Sequence, residues 1–299
     1  MSYELHYLVG PERRPPGLRV LQHALHLMGQ LHREPRQDRD FQVYVYRNPH
    51  TGVECTFVAY EPEEDGDAGL TFCLEVPRPT VFALETLPLA VQVARELRLL
   101  VEPPGPFLDE GPVEPTVEIL FRWWKAINRQ AIAERAQRGE PPPWCSEAAL
   151  ESMWEYQMLH PDLCRRYRRR GVAVPEMGLL RLKRTGEVVR WASWKDLGPS
   201  VIPPADWIFL DNPPPPLKHG TLIPLAQLLP GARRWIKAAS QPMHHRVYLE
   251  ENPPAEMLEL LQGLKGRTMR SFEPLKLHEV VDEPISPPSQ KKPRRRRAA

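Results

Sequence analysis

The chain has 299 residues, a formal net charge of +2 and four cysteines. This length allows two domains of ordinary size, and 41% hydrophobic residues can support packed cores rather than general disorder. The near-zero charge gives no body-wide attraction to nucleic acid, and no Cys-x-x-Cys pair or disulfide framework is indicated. Residues 1–6 lack a signal-peptide core and no apolar run could span a bilayer, so we expect a soluble, reducing, cytoplasmic setting without a membrane span.

The first hundred residues predict the order β-α-β-β-β-α. The elements are a strand at Tyr3–Val9, an amphipathic helix at Leu18–His32, a hairpin at Phe41–Tyr60, a strand at Leu70–Val76, and a helix capped by Thr86 that runs to about Leu100. The hairpin is the strongest signal, because apolar residues alternate on both sides of a turn at residues 47–52. Strands joined by hairpins favour an antiparallel sheet with helices on one face.

Proline-rich stretches divide the rest of the chain. A helix from Thr116 to about Arg138 closes the first domain, residues 1–138, and Pro141–Pro143 lies in a semi-rigid linker at residues 139–145. A second mixture of helices and hairpins follows at residues 146–281. Residues 282–299 are rich in proline and then strongly basic, which predicts a disordered tail. The fold class is therefore α+β, with two domains, each an antiparallel sheet with flanking helices.

Residues able to support catalysis or to bind a metal do not form a known pattern. His23 and His26 lack the glutamate of a zinc-protease helix, and no phosphate-binding glycine loop occurs. Cys145, Cys164 and His160 are near one another in sequence, but their spacing matches no cysteine-enzyme motif. We therefore expect no enzymatic activity, no metal and no cofactor.

Candidate binding residues fall into three groups. Arginines 165, 166, 169 and 170 share two adjacent faces of a helix; they either complement the helix dipole or form a docking patch for phosphate or an acidic protein. Trp194, if exposed, would be an interface anchor. An acidic run contains Glu63, Glu64 and Asp65, and such runs are usually solvated loops.

One segment carries a resemblance. Residues 46–53, Tyr-Arg-Asn-Pro-His-Thr-Gly-Val, are followed downstream by Arg-Pro-Thr-Val-Phe at residues 78–82. This pattern resembles one in uncharacterised bacterial proteins, some of which are similar to immunity proteins that protect a cell from a kin-directed toxin. The resemblance covers about the first hundred residues. It implies a class of protein and no catalytic residue.

The sequence leads to two functional hypotheses. The first is a non-enzymatic protein-binding protein, an immunity protein whose partner is a toxin, because acidic and basic patches could form a complementary interface. The alternative is a nucleic-acid-associated protein that binds phosphates through the basic tail alone. The tail residues concerned are Lys291, Lys292, Arg294, Arg295, Arg296 and Arg297. Without these six charges the net charge of +2 becomes −4, so the body itself would repel nucleic acid.

Overall fold

The computed structural model describes residues 1–35, 41–62, 64–239 and 245–283. The first half forms, in chain order, β1 (Ser2–Leu8), α1 (Leu18–Leu27), β2 (Leu31–Arg33), β3 (Phe41–Arg47), β4 (Glu54–Tyr60), β5 (Asp67–Glu75), α2 (Thr80–Leu97), β6 (Leu100–Val101) and α3 (Val117–Gln137). The predicted β-α-β-β-β-α order is present. The difference is β2, which occupies the region where the first helix was predicted to continue to His32.

The strands of the first half form one antiparallel sheet in the order β2-β3-β4-β5-β1-β6. Alternate residues of β1 are buried, as a strand with one covered face requires. Two tyrosines of this face reach the covering helices: the Tyr7 hydroxyl donates to the Ala90 carbonyl of α2 at 2.9 Å, and the Tyr3 hydroxyl donates to the Leu120 carbonyl of α3 at 3.1 Å. The core of the first half lies between this face and the helices.

Helix α2 begins at Thr80, so the predicted cap at Thr86 is wrong. Thr86 is buried within the helix, where its hydroxyl donates to the Phe82 carbonyl at 2.7 Å. A residue distant in sequence supplies a hydrogen-bond acceptor to the first turn of α2, since the Thr80 N–H donates to Asp282 Oδ2 at 2.6 Å. Pro88 lies inside the helix and removes one backbone hydrogen bond.

The second half forms, in chain order, α4 (Glu147–Arg168), β7 (Met177–Leu182), β8 (Val188–Lys195), β9 (Ser200–Ile202), β10 (Trp207–Asp211), β11 (Thr221–Pro224), α5 (Leu225–Ala232), β12 (Ile236–Ala238), β13 (Arg246–Tyr248), α6 (Ala255–Gly263), β14 (Arg267–Thr268) and β15 (Phe272–Leu275). The larger sheet has the order β14-β11-β10-β8-β7-β15, and a smaller one has the order β12-β13-β9. The larger sheet was predicted to be antiparallel and is mixed: β8 and β10 run parallel. The connection between them runs through β9 in the smaller sheet. A direct hairpin would make β10 antiparallel to β8, whereas a crossover lets β10 return parallel to it.

The larger sheet of the second half curls on itself. A flat sheet would place β14 and β15 five strand spacings apart, about 24 Å. Residues 269–271 alone connect these strands, and such a connection spans at most about 14 Å. The ring centroids of Trp207 on β10 and Phe272 on β15 are accordingly only 5.5 Å apart. A small separate core fills the concave side, formed by Leu180, Leu182, Val189, Leu222 and Phe272.

The main hydrophobic core is continuous across both halves of the chain. The predicted linker also pairs with the C-terminal region, because the Cys145 N–H donates to the Val281 carbonyl at 3.0 Å and the Val281 N–H donates to the Pro143 carbonyl at 2.9 Å. The division into domains at residues 139–145 stays a prediction. The predicted start of the tail at residue 282 is wrong, since Asp282 is buried against Thr80; residues 284–299 lie outside the described part.

Candidate partner-binding groove

A groove lies between the end of α4 and the hairpin of β12 and β13. Among the described residues, three cations line it: Arg166 of α4, Arg170 in the turn that follows α4, and Lys237 of β12; Glu250 is the one carboxylate among the described lining residues. The groove encloses about 240 Å³. Small-molecule pockets typically enclose roughly 300–1,000 Å³, so this volume suits a few side chains of a larger partner better than a whole metabolite. We call this feature the arginine groove.

Tyr167 organises the basic wall of the arginine groove. Its side chain is 2% exposed, and its hydroxyl forms a 3.0 Å hydrogen bond with His245 Nε2. The guanidinium carbon of Arg166 lies 5.7 Å from the Tyr167 ring centroid and that of Arg170 lies 5.9 Å from it. Both distances are within the range of a cation–π interaction. One fixed ring therefore holds two cations side by side.

The lining of the arginine groove also contains apolar side chains. Trp235, Val247 and Leu249 line it, and Leu249 is 47% exposed. The guanidinium of Arg234 stacks on the Trp235 ring at 3.9 Å from the centroid, which fixes the indole in place. Aromatic and arginine side chains around an exposed leucine are the composition typical of interface hot spots.

The four predicted arginines separate into two groups in the structure. Arg166 and Arg170 line the groove together, Arg166 from the last turn of α4 and Arg170 from the turn that follows it. Arg165 instead forms an ion pair with Asp162, three residues earlier on α4. Arg169 is the C-cap residue of α4 and is exposed, outside the groove lining. Sequence reasoning missed Tyr167, Trp235, Lys237 and Leu249, because the hairpin that brings three of them to α4 is distant in sequence.

Trp194 is not an exposed anchor, so that prediction is wrong. Its side chain is 1% exposed, its Nε1 donates to the Gly198 carbonyl at 2.9 Å, and its ring packs edge-on against Tyr248. Trp191 lies three residues earlier on the same strand and therefore points to the opposite, concave face of the curled sheet. The tryptophan at the groove is Trp235, which is half-buried.

The predicted acidic and nucleic-acid residues are placed as follows. Glu64 and Asp65 are exposed in the loop before β5, and Glu63 lies outside the described residues. The tail residues Lys291 to Arg297 also lie outside them.

His160 and Cys164 are brought together on α4, whereas Cys145 is buried elsewhere. His160 Nε2 lies 3.1 Å from the Val174 carbonyl, to which it can donate, so Nδ1 is then the acceptor nitrogen. Cys164 Sγ, however, is almost equally far from both ring nitrogens, 3.7 Å from Nδ1 and 3.8 Å from Nε2. The sulfur therefore lies off the in-plane lone pair of Nδ1, and the imidazole is not aligned to take the thiol proton. Burial raises the pKa of Cys164, and Glu176 adds to this effect.

Glu85 of α2 is the centre of a dense polar cluster. Its Oε1 accepts from the Tyr46 hydroxyl at 2.7 Å and from Asn48 Nδ2 at 2.8 Å, and the Thr51 hydroxyl lies 3.1 Å away. Its Oε2 accepts from Trp154 Nε1 at 2.5 Å. Burial and the hydrogen bond to Glu85 raise the pKa of Tyr46. The polar residues of the segment 46–53 thus dock the β3–β4 turn on α2, which gives that segment a structural role.

A second cavity, about 330 Å³, lies at the strand ends of the first sheet. Its cation, Arg78, already contacts Glu75, the Pro77 carbonyl at 3.1 Å and the His278 carbonyl at 3.0 Å. Burial lowers the pKa of His278, and the neighbouring Arg78 lowers it further. These bonds give the Arg78 guanidinium a structural role at the junction of the first sheet with the C-terminal region.

The described residues contain neither a metal-ligand cluster nor a helix that could cross a membrane. No group of three or more histidine, cysteine, aspartate or glutamate side chains in the described ranges is arranged to hold a metal ion. Within the same part of the chain, no helix has the length and apolar character needed to cross a membrane.

No family model, curated protein or solved structure matches the chain. The resemblance to immunity proteins therefore stays a prediction.

Proposed function

We propose that this protein is a non-enzymatic binding protein and that it neutralises a toxin by binding it. The observation that carries the proposal is the arginine groove, whose lining combines Arg166 and Arg170 with Trp235 and Leu249. Such a surface supports binding of a protein, because cations give orientation and the desolvated aromatic and leucine side chains give affinity. The resemblance of residues 46–53 to immunity-like proteins supports the choice of a toxin as the partner.

A co-expression experiment tests this function. Candidate toxins from reading frames beside the gene are each expressed alone and together with the full chain, and cell survival is measured. We expect survival with the chain, and a stable complex of the two purified proteins by size exclusion. A toxin that kills equally in the presence of the chain, or forms no complex with it, would overturn the proposal.

The tail-based alternative is tested by deleting residues 290–299. Six phosphate contacts at most would give weak, sequence-independent and steeply salt-dependent binding to nucleic acid. We expect the truncated chain to stay folded, lose any such binding and keep its protective activity. Loss of protection in a folded truncated chain would favour the alternative instead.

A further inference from the structure

We propose that the arginine groove binds an acidic peptide segment carrying one apolar side chain, and that Tyr167 positions Arg166 and Arg170 to receive its carboxylates. This inference rests on the proposed function, since it names the chemistry of the partner. It concerns the surface formed by the end of α4 and the β12–β13 hairpin.

The carboxylate preference follows from how the two arginines are held. An arginine side chain loses much rotamer entropy when it is fixed in one conformation. Here the buried Tyr167 ring is fixed by its bond to His245 and lies within 6 Å of both guanidinium carbons. Part of the ordering is therefore achieved before the partner arrives, which is how preorganised sites gain affinity. A planar guanidinium also matches a carboxylate with two parallel hydrogen bonds.

The partly exposed apolar residues that line the groove indicate that the partner carries an apolar side chain. Leu249 is 47% exposed, and it lines the groove together with the half-buried Trp235. A leucine, methionine or phenylalanine of the partner would cover this surface and remove it from water. The acidic residues on either side of that side chain would then reach Arg166, Arg170 and Lys237.

A protein segment fits this groove better than a nucleic acid. Glu250 lies among the lining residues and interrupts the cations, whereas a nucleic acid backbone carries a negative charge at every nucleotide. Single-stranded nucleic acid needs a basic track several nucleotides long together with stacking platforms. A cavity of about 240 Å³ is short for such a track and sufficient for a few side chains.

The binding test uses a fluorescein-labelled twelve-residue peptide with a central phenylalanine flanked by glutamates, titrated with the full chain and followed by anisotropy. The pair Arg166→Glu with Arg170→Glu removes the groove cations. The matched control, Arg168→Glu with Arg169→Glu, makes the same charge change on the same helix end outside the groove lining. We expect at least about tenfold weaker binding for the groove pair and less than about threefold for the control. Equal losses would overturn the proposal, because they would indicate general charge attraction.

The positioning role of Tyr167 is tested at constant charge. Arg166→Lys with Arg170→Lys keeps both charges and removes the planar groups, and these exposed positions should not affect folding. We expect about three- to tenfold weaker peptide binding with an unchanged salt dependence. Tyr167→Leu, which removes the ring, should match the lysine pair, and Tyr167→Phe, which keeps the ring but loses the bond to His245, should bind with an affinity between that of Tyr167→Leu and that of the original chain. If the lysine pair binds the peptide with the affinity of the original chain, the positioning role of Tyr167 is overturned.

Two further outcomes separate this inference from the proposed function. Tighter binding of an oligothymidylate than of the peptide would overturn the acidic-segment proposal in favour of nucleic acid. If a toxin is neutralised equally by the Arg166→Glu and Arg170→Glu chain, this inference fails while the proposed function stands on another surface. If the peptide binds as expected but no toxin is neutralised, the proposed function fails and the groove chemistry stands.

Discussion

The Trp154 indole donates a 2.5 Å hydrogen bond to the Glu85 carboxylate and thereby ties α4 of the second half to α2 of the first. The other oxygen of the same carboxylate receives the side chains of the β3–β4 turn, including Tyr46 and Asn48. One glutamate therefore joins three elements: a turn, the helix that carries the glutamate, and the helix that ends at the arginine groove. The position of the groove relative to the first sheet depends on this junction.

Replacing Glu85 should destabilise the whole fold. In Glu85→Gln the amide nitrogen faces a donor, either Trp154 Nε1 or one of the turn residues, and we expect a loss of about 1–3 kcal/mol in the free energy of unfolding. Urea denaturation measures this loss. The matched control is Glu96→Gln on the exposed side of α2, which should change stability by less than about 0.5 kcal/mol. Equal effects at the two positions would contradict the role given to Glu85.

Asp282 should make stability depend on pH in an unusual direction. Burial raises the pKa of its carboxyl above the ordinary value of 3.8, although the Thr80 N–H opposes this. A raised folded pKa means that the native state holds the proton more tightly than the unfolded chain does. The contribution of Asp282 is therefore fully present below pH 3.8 and is lost as pH rises through the raised pKa.

The uncharged variant Asp282→Asn isolates this effect. The stability of Asp282→Asn relative to the original chain should be greater at pH 7 than at pH 4. Urea denaturation at both pH values measures this difference in the free energy of unfolding. Asp282→Ala should instead be destabilised at both, by about 1 kcal/mol, because it leaves the first turn of α2 without its acceptor. A pH-independent difference between the Asn variant and the original chain would show that the carboxyl titrates normally.

Gly178 tests the curled sheet. A Cβ at this position would lie 2.6 Å from Trp191 Nε1, so the indole on the concave face must move. We expect Gly178→Ala to cost about 1–3 kcal/mol and to change the near-UV circular dichroism of the tryptophans. Gly10→Ala is the control, since a Cβ there meets nothing within 4 Å. A neutral Gly178→Ala would mean that the concave core is looser than described.

The cysteines should alkylate slowly at neutral pH. Burial raises the pKa of Cys73 and of Cys145 to about 11, and it raises the pKa of Cys55 and Cys164 as well. The thiolate is the reacting form, so iodoacetamide labelling followed by mass spectrometry should be slow at pH 7.5 and faster as pH rises. Cys164→Ser should leave partner binding unchanged. Rapid labelling of Cys164 at pH 7.5 would revive a nucleophilic role for its contact with His160.

The sequence predicted the first sheet well because the patterns that indicate its strands and turns lie within short segments. The alternation in Phe41–Tyr60 and the turn chemistry of residues 47–52 lie within one hairpin, and the structure pairs Phe41 with Tyr60 and Arg47 with Glu54. Pro161 lies inside α4 and does not end it, because a proline costs one backbone hydrogen bond and burial of the α4 face outweighs that cost.

Features that depend on distant residues were missed. The start of α2 depends on an acceptor 202 residues away, and the second sheet changes direction through a strand of another sheet. For the candidate site, the spacing of Arg166 and Arg170 was readable from helical periodicity. Their grouping with Trp235 was not, because it depends on where the β12–β13 hairpin docks.

The distance between Thr80 and its acceptor also has a consequence for synthesis. A ribosome that adds about 5–20 residues per second needs roughly 10 to 40 s to proceed from Thr80 to Asp282, the 202 positions that separate the two. During that interval the first turn of α2 can be satisfied only by water, although every strand of the first sheet up to β5 has already been made. A nascent or prematurely terminated chain therefore differs from the finished protein at the start of α2, where a protease or chaperone could distinguish the two.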